Sequence, residues 1–174
     1  MKPPARTGFM NRLKQRLGTA QRIAVVGIGD ELLPPDRPGM FAARYIKDQH
    51  LPGVRVFLTG TVPESFTGPL RKFQPDHVLF LDAADMSEQP GTVVVIGRGK
   101  IGTDLVSTHV LPLSVIMKFV AQDTGAKVTL LGIQPDLGRP ERDMSGPARE
   151  TLEKNLEILA DALRERTGAG VSSP

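Results

Sequence analysis

The 174-residue chain is 40% hydrophobic and 24% charged, the balance expected of one soluble globular domain with a sizeable core. It has no cysteine, which excludes disulfides, thiol catalysis and thiolate zinc sites and fits a cytoplasmic protein; any metal must be met by His, Asp or Glu. Net charge is +3, with six basic residues and no acid in residues 1–29, so the remainder carries −3.

The basic stretch reads first as a solvated or helical extension over residues 1–20, and second as an arm for nucleic acid or an acidic partner. No apolar segment follows its early basic residues as in a signal peptide, and the longest apolar run, near residues 110–117, is far short of the ~20 residues of a membrane span. The expectation is a protein without a membrane association.

Five short apolar runs read as strands: residues 22–27 (RIAVVG), 54–59 (VRVFLT), 77–82 (HVLFLD), 92–96 (TVVVI) and 127–132 (KVTLLG). Several are apolar at consecutive positions, as in strands buried on both faces. Helical segments fall between or after them, at residues 38–48, 64–73, 111–123 and 145–166. In the last, Leu152, Leu156, Leu159 and Leu163 recur at helical spacing, with Ser145 as a cap and Pro147 in the first turn. This alternation implies right-handed crossovers and an α/β fold: a three-layer α/β/α sandwich on a twisted, mostly parallel sheet of about five strands, the fourth a candidate for antiparallel pairing. The domain is expected over residues 21–167, with a flexible tail at 168–174.

Ligands of such sheets sit beyond the carboxyl ends of the strands. There the sequence places GIGDELLPPDRPG (27–39), GTVPES (60–65), LDAADM (81–86) and GIQPD (132–136). Gly27-Ile28-Gly29 does not open a dinucleotide fingerprint, because the next glycine would fall on Leu32 and two prolines follow. The chain also lacks a phosphate-binding P-loop, an HExxH zinc helix and a GxSxG elbow.

Taken singly, the candidate residues have plain readings. His109 packs or caps; Asp36 is an N-cap or solvated loop acid; Asp82 is a strand-end acid that binds nearby amides. Asp85 reads the same way, and for it the plain reading is preferred. Together, Asp36, Asp82 and His109 are two hard oxygen ligands and one imidazole converging on one rim, a legitimate three-point site for a divalent transition metal.

LDAADM, STHVLPL and LLGIQPD, in this order and at these separations, resemble the hydrogenase maturation endopeptidases, nearest to the formate-hydrogenlyase type. The similarity runs over residues 22–142 and, by pattern, the closing helix. The family's loop G-N-x-x-x-x-D-D-G-x-G corresponds to Gly29 through Gly39, with Asp30 in place of Asn, Pro35 in place of the first Asp and Arg37 in place of Gly. The resemblance implies an endopeptidase that removes the C-terminal extension of a [NiFe] hydrogenase large-subunit precursor after nickel insertion. It carries the family's metal-contacting residues onto Asp36, Asp82 and His109, which would touch nickel held by the precursor. No tightly bound cofactor and a monomeric protein are expected. Two alternatives stand beside this reading. One is a non-cleaving homologue that recognises a metallocentre, favoured by Arg37. The other is a nucleic-acid-linked hydrolase of similar architecture that uses the basic segment.

Overall fold

Strands β1 (Ile23–Ile28) and β3 (His77–Ala83) are buried at every position, because helices cover both faces of the sheet they centre. The computed structural model describes residues 5–97 and 110–168. In chain order it adds helix α1 (Ala5–Leu17) before β1, then a 3-10 turn (Pro34–Asp36), α2 (Pro38–Asp48), β2 (Val54–Gly60), a second 3-10 turn (Pro63–Phe66) and α3 (Thr67–Phe73). After β3 come β4 (Val93–Ile96), α4 (Val110–Thr124), β5 (Lys127–Ile133) and α5 (Gly146–Gly168).

The sheet order is β2-β1-β3-β5-β4. The first four are mutually parallel and β4 runs antiparallel to β5, as the sequence suggested for the fourth strand. The period-2 alternation of strand side chains divides the core in two. Ile23 and Val25 of β1, Leu79 and Leu81 of β3 and Leu131 and Ile133 of β5 face α1, α2 and α5. Ala24, Val26 and Ile28, Val78 and Phe80, and Val128 and Leu130 face α3 and α4. The three-layer α/β/α sandwich is therefore the observed architecture.

Two local departures have physical causes. The helix expected from residue 64 begins as a 3-10 turn, and α-helical geometry starts only at Thr67. Pro69 then sits in the first turn, where its missing N–H costs nothing. At the N-terminus, α1 occupies most of the basic segment and is integral to the core: Phe9, Leu13 and Leu17 are 8%, 0% and 1% exposed. Their i, i+4, i+8 spacing forms an apolar stripe that packs with α5, and Lys14 Nζ lies 2.6 Å from Glu165 Oε2 across that contact. Ser145 caps α5 as expected, its hydroxyl accepting from the Ala148 amide at 3.4 Å. Of the tail expected at 168–174, all but Gly168 lies outside the described residues. Among the described residues no helix is long and apolar enough to cross a membrane.

Candidate active site at the strand-end crevice

β1 and β3 are neighbours, yet the chain leaves β1 towards β2 on one side while β5 follows β3 on the other. This is the topological switch point of an open parallel sheet, where connections diverge and leave a crevice. Asp36 lies on the connection that follows β1, and Asp82 is the penultimate residue of β3.

Glycine lets the loop that carries Asp36 approach the strand ends. α2 begins hard against the strand ends: a Cβ on Gly39 would lie 2.2 Å from the Ile28 carbonyl oxygen, 2.5 Å from that of Leu81 and 3.1 Å from Asp82 Cα. Only a residue without a side chain fits there. At the other end of the loop, Gly29 has φ +134°, and a Cβ on it would meet the Asp36 carbonyl oxygen at 2.0 Å. The two glycines thus draw the turn that carries Asp36 down onto the ends of β1 and β3.

The loop is laced internally. Asp30 Oδ1 accepts from the Leu32 amide at 2.8 Å, and Asp36 Oδ2 accepts from the Asp30 amide at 2.7 Å. Asp36 is therefore not the helix cap of the plain reading. The N-cap of α2 is Arg37, without a side-chain capping bond, and Pro38 starts the helix. The Glu31 carboxylate accepts from Nε and Nη2 of the Arg44 guanidinium at 2.8 and 2.9 Å, and that hydrogen bonding holds its carboxyl below the usual range. The Arg37 guanidinium donates to the Glu31 carbonyl and to the Asp143 carboxylate, which ties the Asp36 turn to the connection between β5 and α5.

Asp82 is 1% exposed, whereas Asp36 is half-buried. Asp82 follows the alternation of Val78 and Phe80, the strand face covered by α3 and α4. His109 lies outside the described residues; in sequence it directly precedes Val110, the first residue of α4. Among the described residues no three His, Asp or Glu side chains are grouped to hold a metal ion. Both carboxylates are hard oxygen donors of the kind a divalent cation takes.

Asp85 has the structural role of its plain reading. Its Oδ1 accepts from the Ser87 amide and from Gln134 Nε2, each at 3.1 Å. Gln134, not singled out by sequence reasoning, is the hub of this region. It is 3% exposed, and its Oε1 accepts from the amides of Met86 at 2.7 Å and Glu88 at 3.2 Å. One buried amide thus fixes the segment that follows Asp82. The sequence signal was a glutamine immediately after a buried strand, where a polar side chain persists only if loop backbone groups surround it. Two residues on, Asp136 Oδ2 accepts from the Ser145 amide at 3.0 Å, and that bond lowers its pKa. The GIQPD segment is thereby an organiser of two rim loops.

Comparison with known proteins agrees with this geometry. Residues 41–162 match the family model HycI, hydrogenase maturation protease, a span that holds Asp82, His109 and Gln134 and begins just after Asp36. A putative hydrogenase maturation protease of Methanocaldococcus jannaschii is 32% identical over 133 residues, covering 72% of this chain and 79% of that protein. The hydrogenase 3 maturation protease of Escherichia coli K12 is 32% identical over 101 residues, 58% of this chain and 64% of that protein. The crystal structure of the [NiFe] hydrogenase maturation protease HycI from Thermococcus kodakarensis superposes with a TM-score of 0.76 at 30% identity, over 88% of this chain and 99% of that one. The E. coli maturating endopeptidase HybD superposes with a TM-score of 0.65 at 26% identity, over 83% and 93%. By sequence and by fold, the chain belongs to the hydrogenase maturation protease family and is a peptidase of that family.

Proposed function

We propose that this protein removes the C-terminal extension of a [NiFe] hydrogenase large-subunit precursor once nickel has been inserted, and that it recognises the precursor through that nickel. The observation that supports the reading is the glycine-built approach of the loop that carries Asp36 to the strand ends, where Asp82 lies at the end of β3, in a maturation-protease fold. In this reading Asp36, Asp82 and His109 contact nickel that the precursor holds, and the metal is substrate, not a resident cofactor. Two carboxylates and one imidazole leave coordination positions open, which suits docking onto a metal already bound elsewhere. A water polarised by the metal or deprotonated by a carboxylate attacks the peptide carbonyl carbon, and the leaving amine takes up a proton as the bond breaks. The protein acts as a monomer in the cytoplasm and needs neither nucleic acid nor a tightly held cofactor.

Arg37 was the feature that favoured a non-cleaving homologue. Its guanidinium is engaged by the Glu31 carbonyl and Asp143, so it has structural work outside the crevice, and the cleaving reading is preferred. The test is to incubate purified protein with nickel-loaded and nickel-free precursor and follow the released C-terminal peptide by mass spectrometry. Release from the nickel-loaded form alone, lost in His109→Ala, is expected. Equal cleavage of both forms rejects recognition through nickel. Binding without cleavage installs the non-cleaving alternative.

A further inference from the structure

Beside the Asp36 turn the surface sinks into a pocket of about 250 Å³. The pocket is lined by Pro34 of the turn and Arg37 directly after it, by Asp143 and Met144 on the connection between β5 and α5, and by Phe41 and Arg149. We infer that this pocket receives one uncharged, apolar side chain of the precursor, from a residue close to the bond that is cut. The inference rests on the reading of the chain as a precursor-processing endopeptidase.

Four observations support it. The first is place: an endopeptidase must hold an extended segment across its reacting groups, and this pocket shares Pro34 and Arg37 with the turn that presents Asp36. The second is size. The cavity is smaller than the ~300–1,000 Å³ of sites that enclose a whole small molecule, and it suits a single side chain. The third is charge. Arg37 is neutralised by Asp143, while Arg149 pairs with Glu153 at 3.1 Å and stacks over Phe41 at 5.0 Å from the ring centroid. Both cations in the wall are compensated, so the site does not favour a charged occupant. The fourth is the surrounding surface. Of the six large apolar side chains that stand exposed among the described residues, Leu32, Leu33, Val62 and Leu137 lie on the connections after β1, β2 and β5. Apolar groups gathered on the functional rim mark a surface that another protein covers.

The experiment uses the full chain and nickel-loaded precursor. Apolar residues flanking the scissile bond are replaced by Asp one at a time, and each precursor is assayed with wild-type protein and with Met144→Lys. At one position the Asp precursor should raise KM about tenfold or more for wild-type protein, with kcat little changed. Met144→Lys should reverse that preference, favouring the Asp precursor over the native one. Circular dichroism should find the Met144→Lys protein folded. If wild-type protein cuts but no flanking position responds, or Met144→Lys leaves the preference unchanged, the pocket assignment is wrong and the proposed function stands. If wild-type protein does not cut nickel-loaded precursor, the proposed function and this inference fall together. A dimer that Met144→Lys dissociates would assign the pocket to a second copy of the chain and overturn the inference.

Discussion

Asp36 Oδ2 accepts a 2.7 Å hydrogen bond from the amide of Asp30, six residues earlier on the same loop. Asparagine at position 36 retains an oxygen that can accept this bond but loses the negative charge. Asp36→Asn should therefore keep the turn and the melting temperature within a few degrees while lowering processing of nickel-loaded precursor by about 100-fold or more, a loss of about 3 kcal/mol in transition-state stabilisation. Asp82→Asn should do the same. Measurement of kcat/KM beside thermal melts separates charge from fold; full activity in either variant would remove that residue from the site.

Gly39 tests how the crevice is built. A Cβ there would meet two backbone carbonyl oxygens at 2.2 and 2.5 Å, and backbone cannot rotate away as a side chain can. Gly39→Ala should push α2 off the strand ends, destabilising the fold by about 1–3 kcal/mol. Because the shift moves the turn that carries Asp36, processing should fall further than the lost stability accounts for, when both are measured well below the melting temperature. A variant equal to wild type in both respects would contradict the close approach.

The first helix tests where the core ends. Leu13 is fully buried in the layer shared by α1, α2 and α5. Leu13→Ala should cost about 2–5 kcal/mol in chemical denaturation, and deletion of residues 1–20 should leave an apolar surface that aggregates or melts early. A truncated chain with wild-type stability would restore the view of this segment as a detachable extension.

His77 sets a pH dependence far from the crevice, at the opposite ends of the strands. It is 1% exposed, its Nε2 lies 2.9 Å from Thr129 Oγ1, and its pKa falls to about 4, chiefly by burial and then by the charges of Lys127 and Arg16. A folded-state pKa below the unfolded value means that the neutral ring is favoured in the fold. The stability is present above about pH 6.5 and is lost as pH drops from there towards 4, by about 3 kcal/mol at most. His77→Gln keeps a polar side chain but cannot titrate, so its unfolding free energy should vary less with pH across this window than that of the wild type. Identical slopes would mean that His77 is not the group responsible.

Much of this was legible because its cause is local. Strands buried on both faces must be apolar at consecutive positions, and β1, β3 and β5 announce themselves that way. Carboxylates just past or at the ends of parallel strands lie towards one rim, and Asp36 follows β1 and Asp82 lies at the end of β3 as that rule expects. His109, grouped with them from the residues alone, lies outside the described residues. What sequence could not disclose depends on partners distant along the chain. Gln134 organises amides 46 and 48 residues away, and the Arg37 guanidinium finds Asp143 across 106 positions. The stripe of Phe9, Leu13 and Leu17 sits among basic residues typical of an exposed segment, and its burial requires α5 to be in place.

That last dependence bears on how the protein is made. Helix α1 leaves the ribosome well before α5, against which it packs, so its apolar stripe waits through the synthesis of the whole sheet before that neighbour exists. The central strands can associate first, with α2 and α3 closing over them, but one layer remains incomplete until α5 emerges. Closing so long a loop is slow, and uncovered leucines in the interval invite intermolecular contacts. Charges interleaved with an apolar stripe oppose such contacts in general, so Arg12, Lys14 and Arg16 bear on the stripe before α5 covers it as well as after.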